Sequence, residues 1–199
     1  MADHPKDYLG QKMGMWLFLF TEIILFGGLF VLYAVTLQRY PDEFHEASKL
    51  LDTTMGTVNT VVLITSSLFA ALAVTALQKG DEKKAKIFLL LTIALAAVFL
   101  VDKYFEWGAK IHHGIYPGSP DIADWEPGKQ AFFALYYAMT GLHGIHVVIG
   151  MAVLGWIYWL IHVGKCTPQY FVALENGGLY WHLVDLIWIY LFPLYYLIA

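Results

Sequence analysis

The sequence predicts an all-α membrane protein: a bundle of five transmembrane helices, N-terminus cytoplasmic and C-terminus outside. Three observations carry this expectation. The 199 residues are 59% hydrophobic and 14% charged, where a soluble domain carries about a quarter charged residues. Mean hydropathy is +0.58. Apolar runs of about 20 residues, the length that crosses roughly 30 Å of hydrocarbon, recur along the chain.

Five segments meet that length, at about 13–37, 56–78, 86–112, 130–162 and 176–198. The first follows a polar start, "MADHPKDYLGQK", which lacks the short apolar core and small-residue cleavage site of a secretory leader. It is therefore expected to remain in the mature protein. The third opens at "GDEKKAK" and stops near "HHGIYPGSP", where Gly and Pro break a helix. The fourth exceeds what crossing requires, so it is expected to tilt or to extend beyond the bilayer. The fifth contains Pro193, whose freed carbonyl neighbouring helices can satisfy.

Orientation follows from Lys and Arg. With the N-terminus inside, the inner side takes Lys6, Lys12, Lys79, Lys83, Lys84, Lys86 and Lys165. The outer side takes Arg39, Lys49, Lys110 and Lys129, and Lys103 lies within a span. The net charge of −4 and pI near 6.0 give no reason to expect nucleic-acid binding. One cysteine, Cys166, excludes an internal disulfide and a thiolate cluster. No repeat or low-complexity tract divides residues 1–199, which read as a single domain.

Polar residues in such spans normally face the protein interior, because a charge at mid-membrane costs about 2.5–3.5 kcal/mol on insertion scales. Glu22, in "LFLFTEIILFGGLF", has no basic residue three or four positions away. It must find a partner on another helix, take up a proton or meet water, and a role in proton or lipid handling stays open. Lys103 and Glu106 are spaced i, i+3 and can pair on one helix face, while Asp102 points elsewhere. His182 and Asp185 have the same spacing, so the carboxylate is expected to hold the imidazole. Glu175 lies two turns earlier.

The fourth span carries "YAMTGLHGIHVVIG". His143 and His146 share one face, and Thr140 with Gly144 forms a small-xxx-small pattern that lets another helix approach. Gly141 and Gly150 thin the same helix. The residues fit interhelical hydrogen bonding. A zinc site would want three or four ligands, whereas haem ligation by two imidazoles, with His182 as the second, stays open on residue count.

Several stretches together resemble subunit III of the haem–copper respiratory oxidases. They are "GMWLFLFTEIILFGGLFVLY" (14–33), "VNTVVLITSSL" (58–68), "KYFEW" (103–107), "TGLHGIHVVIG" (140–150) and "ENGGLYWHLVDLIWIYLF" (175–192), in family order across all five segments. The chain begins at the family's glutamate helix and so looks like the short, five-helix bacterial form. One wall of the lipid-filled cleft of seven-helix members is then missing, and "TPQYFVALE" lacks the paired histidines that some members carry.

The resemblance implies a non-catalytic subunit, with its matches at Glu22, Glu106, His143, His146, Glu175, His182 and Asp185. It implies that this chain binds neither haem nor copper, that these lie in partner subunits, and that phospholipid is bound. The expected partner is catalytic subunit I of a proton-pumping cytochrome c oxidase in the bacterial cytoplasmic membrane, which reduces O2 to water. Subunit III would stabilise that subunit and support its proton uptake. His182 with Asp185, and His143 with His146, are expected to tie the last two helices together. The alternatives are a quinol oxidase, a nitric oxide reductase-associated protein, a b-type cytochrome anchor and a small proton or solute carrier.

Overall fold

The computed structural model describes residues 8–198. Among the described residues lie seven helices: α1 (Tyr8–Arg39), α2 (Pro41–Ser48), α3 (Thr53–Gln78), α4 (Glu82–His112), α5 (Pro120–Ala123), α6 (Pro127–His162) and α7 (Val172–Tyr196). The opening residues 1–7, including Lys6 of the orientation argument, fall outside the described residues.

The five-span expectation is corrected here. Four helices, α1, α3, α4 and α6, are long and apolar enough to cross a membrane. Helix α7 is not among them, although its 25 residues would reach about 37 Å at 1.5 Å each. Its sequence intersperses Tyr and Trp with Asn176, His182, Asp185 and Pro193, which dilutes its apolar character. The same side chains suit an internal position: Trp181, Val184, Trp188, Leu191 and Tyr195 are fully buried. Helix α7 packs against α1, α3 and α6, so protein surrounds much of it.

Two short helices were not expected. Pro41 begins α2 at a first-turn position where its missing N–H costs nothing, with Asp42 and Glu43 beside the positive end of the helix. Pro120 does the same for α5, where the Ser119 hydroxyl caps Asp121 N–H at 3.2 Å. Local capping also places the long helices. Asp52 accepts from the N–H groups of Thr54 and Met55 at 2.8 and 3.2 Å at the start of α3. Asp81 accepts from Lys84 N–H at 3.0 Å at the start of α4.

Helix α1 buries only Leu19, Phe26 and Tyr33, a single stripe at seven-residue spacing. Trp16, Leu17, Phe20, Ile23 and Ile24 point outward from the rest of its surface. The remaining long helices pair α3 on α4, α4 on α6 and α6 on α7. At one end of the bundle, the C-terminal residues are tied down by three other segments. Tyr33 OH donates to Leu194 O, Thr53 Oγ1 to Tyr196 O at 3.2 Å, and His45 Nδ1 lies 2.7 Å from Ile198 O.

Candidate functional site

Three groups of polar side chains, around the residues singled out in the sequence, link helices among the described residues. The first joins α1 to α6. Glu22 Oε2 lies 2.9 Å from His146 Nε2, across 124 residues of sequence. Nδ1 of the same ring lies 2.8 Å from Leu142 O, one turn back on α6. A carbonyl can only accept, so Nδ1 carries hydrogen. One further proton then lies between Nε2 and Oε2, on the ring or on the carboxyl. Phe26 meets the imidazole edge-on at 5.2 Å, and Tyr180 OH donates to His146 O at 3.2 Å. Of the routes open to Glu22, the structure contains a partner on another helix.

His143 does not share this link. Its side chain points into the core, edge to face with Phe99 at 5.6 Å and tilted on Trp188 at 5.3 Å. Neither ring nitrogen has a hydrogen-bond partner among the described residues. The two histidines therefore split, one toward α1 and one against aromatic rings of α4 and α7. Among the described residues, no three His, Cys, Asp or Glu side chains gather as a metal site would require.

The second link centres on Glu106 of α4, 3% exposed. Its Oε2 accepts from Lys103 Nζ at 2.6 Å, and its Oε1 from Lys110 Nζ at 3.3 Å. Tyr136 OH of α6 and Tyr196 OH of α7 each donate to Oε1 at 2.8 Å. Lys103 Nζ also reaches Tyr196 OH at 2.5 Å and sits 4.6 Å over the Trp188 ring. One carboxylate thus joins α4, α6 and α7. Sequence reading placed Lys103 and Glu106 side by side but assigned Lys110 to the outer surface. The i, i+4 spacing of Glu106 and Lys110 was the available signal. Nothing local identified Tyr136 or Tyr196, because each comes from another helix.

The third link lies at the opposite end of the bundle. Glu175, in the first turn of α7, accepts from Lys12 Nζ at 2.9 Å and from Tyr8 OH at 3.1 Å, both on α1. One face further along α7, His182 Nδ1 lies 2.6 Å from Ser67 Oγ of α3. The expected His182–Asp185 pair is corrected: Asp185 is buried and makes no hydrogen bond to that ring. The two residues lie three apart, but the imidazole reaches across to α3 instead. His182 therefore joins α7 to α3 rather than to α6.

The small residues of α6 differ in what they face. A Cβ on Gly150 would lie 2.7 Å from the Trp181 ring, and one on Gly141 3.1 Å from that of Trp107. These two positions let α7 and α4 side chains close on α6. Gly144 faces open space and lines an apolar groove of about 1060 Å³ between α4 and α6, together with Phe99, Trp107, Gly108 and Val148. Its partner in the small-residue pattern, Thr140, donates its hydroxyl to Tyr136 O at 2.6 Å on its own helix. Gly144 thus brings no other helix close among the described residues.

The arrangement can hold helices in register and can hold a proton between Glu22 and His146. Comparison with known proteins identifies its setting. The family model described as cytochrome c oxidase subunit III matches residues 4–199. Cytochrome c oxidase subunit 3 of Thermostichus vulcanus is 30% identical over all of this chain and 92% of its own length. Quinol oxidase subunit 3 of Bacillus spizizenii is 29% identical over all of this chain and 94% of its own. The haem–copper oxidase subunit I+III of Aeropyrum pernix is 29% identical over 98% of this chain and 23% of its own length. Four membrane-length apolar helices and this full-length match make it a multi-pass membrane protein, and the chain belongs to the cytochrome c oxidase subunit III family of the haem–copper oxidases.

Proposed function

We propose that the chain is a non-catalytic subunit of a proton-pumping oxidase that reduces O2 to water, packed against the catalytic subunit I in a bacterial cytoplasmic membrane. It stabilises that subunit and supports its proton uptake. Haem and copper belong to the partner subunits, and phospholipid fills apolar surface such as the α4–α6 groove. One observation carries this reading: Glu106, Glu175, Glu22 and His146 are all bonded to side chains of neighbouring helices. Buried polar groups used in this way build a scaffold. The relative whose name joins subunits I and III in one polypeptide supports direct packing against subunit I.

The test is copurification of the tagged chain from its native membrane, with a visible spectrum and an inventory of the proteins recovered. Recovery of a haem-bearing subunit I with O2-reducing activity supports the reading. A tagged chain that is recovered intact without subunit I overturns it. A quinol oxidase is the second reading, because a relative of that name matches as fully as the cytochrome c oxidase one. Oxidation of reduced cytochrome c or of quinol by the purified complex separates them.

A further inference from the structure

Tyrosine and tryptophan rings form a connected chain from the surface of α4 into the core. It starts at Trp107, which lines the apolar groove between α4 and α6 beside the exposed Tyr104 and Phe105. Between ring centroids, Trp107 lies 5.0 Å from Tyr137, Tyr137 5.4 Å from Tyr136, and Tyr136 6.4 Å from Tyr196. The hydroxyls of Tyr136 and Tyr196 also meet at 3.1 Å. From there the chain divides. One arm reaches Trp188, 6.4 Å from Tyr196, and the other reaches Tyr195, 5.4 Å from Tyr136, with Tyr33 5.1 Å beyond. Such pairs hold a core together. Tyrosine and tryptophan are also the aromatic side chains that give up one electron most readily, and rings this close pass an electron between them.

The rings differ in where a phenol proton can go. A tyrosine that loses an electron becomes a strong acid and needs a base within hydrogen-bond reach. Tyr137 OH donates to Ile115 O at 2.7 Å, Tyr33 OH to Leu194 O, and Tyr195 OH to Met139 Sδ at 3.0 Å. A backbone carbonyl or a thioether accepts a hydrogen bond but does not keep the proton. Tyr136 and Tyr196 each donate to Glu106 Oε1 at 2.8 Å, and a carboxylate does keep it. The Lys103 ammonium lies 4.6 Å over Trp188, 5.0 Å over Tyr196 and 5.6 Å over Tyr136. It opposes positive charge on all three rings, strongly so where the dielectric is low. A ring avoids that charge by shedding its proton as the electron leaves. Tyr136 and Tyr196 have the base for it, whereas Trp188 Nε1 donates to the Thr60 hydroxyl at 3.0 Å.

We propose that Tyr136 and Tyr196 are a radical-holding site, fed across Tyr137 from Trp107, that takes up oxidising equivalents reaching the groove. The oxidant is a peroxyl radical, formed when O2 adds to a carbon radical on a lipid chain. It takes one electron from Trp107 and one proton from water at the headgroups, and becomes a hydroperoxide. Tyr137 serves as a bridge and ends as it began. Tyr136 supplies the electron, its O–H bond breaks, and the proton forms an O–H bond on Glu106. One peroxyl radical is reduced and one phenoxyl radical is formed, which Tyr196 exchanges by passing its own hydrogen across the hydroxyl contact. This activity goes beyond the function proposed above and does not depend on it.

The full chain, reconstituted alone into vesicles of unsaturated phospholipid with a lipid-soluble azo initiator under O2, tests the proposal. Samples frozen during the reaction should give the electron paramagnetic resonance signal of a tyrosyl radical, narrowed when the tyrosine rings are deuterated. Its g-values should be those of a hydrogen-bonded phenoxyl oxygen, with a proton coupling that is lost in D2O, as the Lys103 and Glu106 contacts require. The exposed Tyr104 and Tyr190 carry no such contact among the described residues. Trp107→Phe should remove most of the signal, and Tyr136→Phe combined with Tyr196→Phe should abolish it. The proposal is overturned by a native protein without a tyrosyl signal, or by a signal that lacks the exchangeable coupling. A full signal in Trp107→Phe, or one that persists in the double variant, also overturns it. Should the double variant not fold, the g-values and D2O coupling of the native protein decide alone.

Discussion

Glu22 of α1 and His146 of α6 meet at 2.9 Å, and this contact is the polar link between the outermost helix and the rest of the bundle at mid-span. Because the second ring nitrogen is engaged by Leu142 O, the contact needs one proton and two heavy atoms, and no net charge. Glu22→Gln should therefore keep it, with the amide donating to Nε2. Assembly should be retained and thermal stability should change by less than about 1 kcal/mol. Glu22→Leu strands the imidazole nitrogen and should cost about 1–3 kcal/mol. Melting of the purified complex reads both, and equal losses in the two variants would contradict this account.

Glu106 is the counter-charge for two buried ammonium groups. Glu106→Gln removes the charge but keeps the shape, and should destabilise by about 3–5 kcal/mol, the usual cost of leaving a buried ion unpaired. Adding Lys103→Met should recover part of that loss, because one stranded cation is then gone. A double-mutant cycle on melting temperature measures the coupling. Simple additivity would show that the two side chains do not act together.

Gly150 and Gly144 lie six positions apart on α6 and should respond oppositely to alanine. At Gly150 the methyl would press on the rigid Trp181 ring at 2.7 Å, so Gly150→Ala should cost about 1–3 kcal/mol of overpacking. At Gly144 nothing lies within 4 Å. Alanine there should be neutral or slightly stabilising, since it lowers the freedom of the unfolded chain. Parallel melting curves of the two variants decide the matter.

Glu46 of α2 is exposed and accepts from Lys129 Nζ at 2.6 Å, which holds its carboxyl below the ordinary glutamate range. A carboxyl lowered in the folded state contributes stability that is present above its unfolded value, about 4.3. That contribution is lost as pH falls through the lower folded value. Native protein should therefore lose a small increment of stability below about pH 4.3 that Glu46→Gln lacks. The difference should fade in high salt, as expected of an exposed pair. Acid titration of thermal stability at two ionic strengths checks it.

Family membership was legible because it rests on ordered local patterns, such as "TGLHGIHVVIG" and "YWHLVDLIW", that need no tertiary information. Neighbours along one helix were legible for a similar reason. Lys103 and Glu106 lie within reach of each other at i, i+3 on any helix that carries them. Pairings between helices were not. His182 turned to Ser67 rather than to Asp185, and His143 and His146 parted company, because each helix's rotation about its axis selects which neighbour a side chain meets.

The chain's own residues determined that it is helical, apolar and built of long segments, since composition and run length follow from covalent sequence alone. The last apolar stretch, expected to be a fifth span, falls short of the apolar character of the other four by its own composition. Packing decided where its side chains go: its buried Trp and Tyr side chains fill space among neighbouring helices. Hydropathy weighs a residue against solvent without knowing its neighbours. Trp181 and Trp188 count as weakly polar in a sequence, yet they are fully buried once Gly150 and Thr60 are brought beside them.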